Sequence, residues 1–78
     1  MGSGIPTEDV SELRARLLGW MGEHGLTYAD AASRCRLRPH QVRDFLGSRG
    51  CVSEAVVAAL CRLPLGLSYQ GPRILPRL

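Results

Sequence analysis

Leu26-Thr27-Tyr28-Ala29-Asp30-Ala31-Ala32-Ser33-Arg34-Cys35-Arg36-Leu37-Arg38-Pro39-His40-Gln41-Val42-Arg43-Asp44-Phe45-Leu46-Gly47 has the pattern of two short helices joined by a tight turn. Thr27 is a residue type that accepts a bond from an orphan amide at a helix start, and Asp30 stands where a capping box places its acid. Ala29, Ala31 and Ala32 favour helix, which the pattern ends near Cys35. Pro39 suits a first helical position, because its φ is preset and it has no N–H to leave unbonded; a second helix is expected over 39–46, stopped by Gly47. Core-type residues fall at Tyr28, Ala32, Leu37, Val42 and Phe45. Ala32 is small enough to let two helices cross closely at a steep angle, Leu37 plugs the turn, and Val42 with Phe45 fixes the second helix to the core.

Working outward, Thr7-Glu8-Asp9 opens a helix expected over 8–24, with Thr7 as cap and the two acids facing the positive end of its dipole. Val10, Leu13, Leu17 and Trp20/Met21 recur at helical spacing, and Gly25 supplies the C-cap. Downstream, Gly47-Ser48-Arg49-Gly50 reads as a loop. Ser53-Glu54 starts a fourth helix with Val56, Val57, Leu60, Cys61 and Leu63 on its apolar face, and Pro64 ends it. Met1-Gly2-Ser3-Gly4 reads as an expression scar within a disordered start, 1–6. Residues 65–78 are expected to form an extended Pro-rich tail, although Leu65, Leu67 and Tyr69 alternate as a short strand does. Its exposed apolar residues, through Ile74, Leu75 and Leu78, lead to an expectation of self-association. The expected fold is therefore all-α, a four-helix domain over 7–64 with an extended C-terminal tail.

Seventy-eight residues allow one domain with one modest core, which leaves little chain for a pocket and a closing lid. No Ser/His/Asp, Cys/His or paired-carboxylate arrangement stands out, so catalysis and a cofactor are not expected. Cys35, Cys51 and Cys61 are odd in number and widely spaced, unlike a disulfide framework or a zinc site; reduced thiols and no metal are expected. No apolar run reaches membrane-spanning length and no signal-peptide order is seen, which points to a cytoplasmic protein. All ten basic residues are Arg. Residues 1–33 hold Glu8, Asp9, Glu12, Glu23 and Asp30 against Arg14 and Arg16, a net of −3; residues 34–78 hold eight Arg against Asp44 and Glu54, a net of +6. A basic half beside an acidic half suits a polyanionic partner, most commonly nucleic acid.

The stretch 26–47 resembles the Cro and lambda-repressor-like helix-turn-helix family, and the flanking helices are similar to that family's in position and length, so the likeness covers roughly 8–64. It implies a four-helix domain that binds duplex DNA as a homodimer on a two-fold-related operator and acts as a small transcriptional repressor or other regulator. Three positions depart from the family: Arg36 where a turn Gly is usual, Tyr28 where a phosphate-contacting Gln is common, and a Pro-rich tail in place of a fifth, dimerising helix. On the second helix of the motif, Arg38, His40, Gln41 and Arg43 are expected to read base edges, since Arg and His suit guanine acceptors and Gln suits adenine. Asp44 repels phosphate and is expected to orient an Arg. Thr27, Tyr28, Arg34 and Arg49 are expected to hold the DNA backbone. The competing expectation is a protein-interaction module on the same fold, an antiactivator or antirepressor that binds another regulator through exposed apolar surface.

Overall fold

The computed structural model describes residues 4–48, 50–71 and 73–76. In chain order the elements are strand β1 (Gly4–Pro6), a 3-10 turn (Thr7–Val10), helices α1 (Ser11–His24), α2 (Tyr28–Arg34) and α3 (Pro39–Gly47), strand β2 (Cys51–Ser53), helix α4 (Glu54–Leu60), and strands β3 (Leu67–Gln70) and β4 (Arg73–Pro76). The fold is thus mixed helix and strand, which corrects the all-α expectation: β1 pairs with β2 and β3 with β4, both antiparallel. Of the expected disordered start, Gly4–Pro6 is a strand, while Met1, Gly2 and Ser3 lie outside the described residues.

Each correction has a local cause. In β1, Ile5 turns inward to 2% exposure between exposed neighbours and sits opposite Val52 of β2, so a single apolar side chain per strand closes that edge of the core. A side chain at Gly4 would meet Cys51 Cβ at 2.9 Å, so the strand depends on glycine there. The expected tail folds back as a hairpin turning at Gly71, with Tyr69 opposite Ile74 and Ser68 opposite Leu75; Leu78 lies outside the described residues. Leu65 and Leu67 enter the main core, which is what the alternating Leu65, Leu67, Tyr69 pattern requires of a strand with one buried face. Pro76 closes the strand opposite Leu67, at the open end of the hairpin, a terminal position where proline is tolerated. The hairpin is fastened at both ends: Arg16 Nη1 donates to Leu65 O at 2.9 Å, and the Tyr69 hydroxyl donates to Glu54 Oε1 at 2.8 Å.

The helical core follows the apolar spacing. Val10, Leu13, Leu17 and Met21 are buried along one side of the first helical segment, although its opening turn is 3-10 and Thr7 makes no side-chain cap; the Thr7 N–H instead donates to Gly50 O at 2.8 Å. Ala31 and Ala32 of α2 meet Val42 and Phe45 of α3 in the same cluster, and Ala32 is 1% exposed. Tyr28, one of the core-type positions of the motif, is instead exposed at 44% in the first turn of α2. Cys35 and Cys61 are buried; burial pushes the Cys35 thiol above its ordinary value, and its Sγ lies 3.3 Å from Ala31 O.

Helices α1 and α2 end in the same way. After α1, Gly25 takes φ 63° and the Leu26 N–H donates to Met21 O at 2.8 Å; after α2, Arg36 takes φ 61° and the Leu37 N–H donates to Ala32 O at 2.8 Å. Both are Schellman closures with a left-handed residue past the helix end. Glycine adopts that conformation freely, whereas a residue with a Cβ costs about 1–2 kcal/mol there. The turn between α2 and α3 therefore carries strain that the turn after α1 does not.

Two stability predictions follow from this packing. Ala32→Leu should destabilise by about 1–3 kcal/mol in urea unfolding, because the larger side chain is forced between α2 and α3; a loss near zero would mean the two helices do not cross there. Leu67→Ala, in the segment expected to be a free tail, should cost about 2–5 kcal/mol as a buried large-to-small change, whereas an unaltered midpoint would place the hairpin outside the cooperative unit.

Candidate nucleic-acid interface

In the α2–turn–α3 unit, α3 buries Val42 and Phe45 and leaves the rest of its surface exposed or half-buried. Arg38 is the N-cap, with extended backbone at φ −92° and ψ 151°, and Pro39 occupies the first helical position. Val42 and Phe45 point into the core, which turns His40, Arg43, Asp44 and Gly47 outward at spacings of three and four residues. Arg38, His40 and Arg43 are exposed, and together they offer guanidinium forks and an imidazole on one helix. Arg43 Nε lies 3.5 Å from Asp44 Oδ1 with both side chains about two-thirds exposed, a contact of little energy that still biases where the guanidinium sits.

Gln41 differs from these three. It is half-buried, and its Oε1 accepts the Arg38 N–H at 2.8 Å, forming half of a capping box. Its Oε1 keeps one lone pair and its two N–H donors remain unused, so the capped side chain is held in place while still able to meet an adenine edge. Sequence spacing marks Gln41 as outward because three positions from the cap is also a solvent-facing position; the residue serves the helix start first.

At the N-terminus of α2 the expected capping box is complete. Thr27 Oγ1 accepts from the Asp30 N–H at 3.2 Å, and the Thr27 N–H donates to Asp30 Oδ2 at 3.0 Å. The Thr27 amide is therefore occupied, leaving the hydroxyl proton and the exposed Tyr28 as the groups that can meet a phosphate. Those bonds from Thr27, with a smaller contribution from Arg34, hold the Asp30 carboxyl below its ordinary value, so it is anionic at neutral pH. Its charge offsets part of the attraction that a helix N-terminus exerts on an anion.

Arg34, at the other end of α2, stacks over Trp20 with its guanidinium carbon 6.0 Å from the ring centroid, and His24 meets the same ring edge-on at 6.0 Å. These side chains share an open depression with Leu26 and Pro64, in which no α3 residue takes part. Arg34 is thus grouped with Trp20 and His24 of α1, away from Arg38, His40 and Arg43. Arg49 lies outside the described residues.

Sequence reasoning overlooked Arg14. From α1 its Nη2 reaches Ser48 O at 3.2 Å and Phe45 O at 3.4 Å, and its guanidinium carbon stands 5.9 Å from the Phe45 ring centroid. A cation on the last carbonyls of α3 satisfies acceptors that the helix cannot, and complements the negative end of its dipole. Its Nε is buried without a hydrogen-bond partner among the described residues, so the placement carries a desolvation cost. Arg14 neighbours the apolar stripe in the α1 sequence, but nothing in that spacing reveals a partner 31 residues away.

Beside α3, an open groove of about 240 Å³ runs between the helix and the β2–α4 segment, lined by His40, Gln41, Asp44 and Phe45 on one side and by Cys51 and Val56 on the other. Cys51 is exposed there. Among the described residues no three His, Cys, Asp or Glu side chains gather as a metal site, and no helix is long and apolar enough to cross a membrane. No protein-family model, no curated protein and no solved structure matches this chain.

Proposed function

We propose that the chain is a sequence-specific duplex DNA-binding protein of the cytoplasm, acting as a small transcriptional regulator and working as a homodimer on a two-fold-related site. The observation that carries this reading is the exposed row of α3, where Arg38, His40 and Arg43 stand on a helix whose inner face is locked into the core by Val42 and Phe45. A helix presented in this way is of a size that a major groove about 12 Å wide admits. The basic second half of the chain supplies the electrostatic attraction that duplex binding needs. Base reading is assigned to Arg38, His40, Gln41 and Arg43; backbone contact is assigned to Thr27, Tyr28, Arg34 and Arg49.

One observation favours a second reading, a protein-interaction module that binds another regulator. The groove beside α3 combines Phe45 and Val56 with few charges, which suits an apolar side chain from a protein partner.

The two readings separate in one experiment. A duplex site is selected from a randomised pool, and affinities for it and for random duplex are measured by fluorescence anisotropy. His40→Ala and Arg43→Ala should each weaken the selected duplex by about 1–3 kcal/mol, roughly 5- to 150-fold, with a much smaller change on random duplex. Gln41→Ala should in addition lower stability by about 1 kcal/mol through the lost cap. Equal losses on both duplexes would reduce α3 to a non-reading basic face, and failure to select any duplex would leave the protein-interaction reading in possession.

A further inference from the structure

The strained turn is the feature that neither the packing nor the base-reading row accounts for. The chain closes two helices with the same left-handed geometry and puts glycine at one, Gly25, and arginine at the other, Arg36. Nothing in the fold asks for the arginine: Arg36 is exposed and makes no hydrogen bond or ion pair among the described residues, and Leu37 beside it supplies the contact that plugs the turn. Arg38, two residues on and also exposed, adds a second cation with no acid between the two. Like charges so close along the chain repel one another, and the repulsion is relieved when an anion lies between them. The half-buried Leu37 leaves Arg36 and Arg38 projecting from the surface on either side of it, at the entry to α3. This is the positive end of a nine-residue helix.

We propose that Arg36 is a contact to the phosphate backbone of duplex DNA, kept at a strained position for its charge. The inference rests on the duplex-binding reading above and adds to it a positioning contact at the turn, next to the residues assigned to base edges. A phosphate held by Arg36 fixes how far the N-terminus of α3 enters the groove, since the turn is tied to α2 through Leu37 and Ala32.

The test uses the full chain with Arg36→Gly, Arg36→Gln and Arg36→Lys, a random-sequence duplex as probe, a series of salt concentrations, and thermal melts. Arg36→Gly should raise the melting temperature by about 2–6 °C, the relief of left-handed strain less the added freedom of the unfolded chain. It should also lower the steepness of log affinity against log salt by about 0.9, one phosphate contact. Arg36→Gln keeps a Cβ at the turn and loses the charge, so it should show the same slope loss with an unchanged melting temperature; Arg36→Lys should match the parent in both. If the Gly and Gln variants keep the parent's slope, Arg36 touches no phosphate and the inference falls while duplex binding stands. If Arg36→Gly melts lower than the parent, the arginine serves the fold and the inference falls. If the parent itself shows no salt-sensitive duplex binding, the duplex reading fails and takes the inference with it.

Discussion

Everything at the surface of α3 depends on how closely α2 and α3 approach at Ala32. Ala32 is buried in the core that also holds Val42 and Phe45, and the turn closes with the Leu37 N–H on Ala32 O. One residue thus supplies both the small side chain at the crossing and the carbonyl that ends the helix. The closure in turn requires a left-handed residue at position 36, so the strain at Arg36 and the presentation of α3 are consequences of the same geometry. A larger residue at 32 would displace α3 and every side chain it carries.

Two arginines of α1 extend that control over the rest of the chain. Arg14 holds the C-terminal carbonyls of α3, and Arg16, paired with Glu12 at 2.7 Å, holds Leu65 at the entry to the hairpin. Both act by donating to backbone carbonyls, so they position segments rather than side chains. In a chain this short the hairpin is an economical addition to the core: Leu65 and Leu67 contribute buried area that four short helices alone do not supply. The same folding-back buries Leu65 and Leu67, half-buries Tyr69 and Ile74 and leaves Leu75 exposed, so part of the surface expected to drive self-association is internal.

The helices were legible because their signals are local. The Thr27–Asp30 capping box, Pro39 at a first turn, Gly25 past a helix end and the apolar spacing of α1 each lie within a few residues of the structure they specify. The strands were not, because β1 and β2 are three residues long and carry one buried side chain apiece, too little for a period of two to show. The β3–β4 hairpin announced itself only through Leu65, Leu67 and Tyr69, against prolines that argued for an extended tail. Within the candidate site, outward spacing found Arg38, His40 and Arg43 but could not reveal that Gln41 caps its own helix, that Arg34 stacks on Trp20, or that Arg14 reaches α3 from 31 residues away. Those are tertiary choices between partners that sequence spacing leaves open.

If α3 and the turn before it form the surface that meets duplex DNA, an amide chemical-shift map recorded while a selected duplex is titrated into the labelled protein will show it. Shifts should concentrate between Arg36 and Asp44 and at Thr27 and Tyr28, with the exposed Leu18 side of α1 unchanged. Shifts centred on Leu18 or on the hairpin, with α3 unaffected, would contradict that assignment.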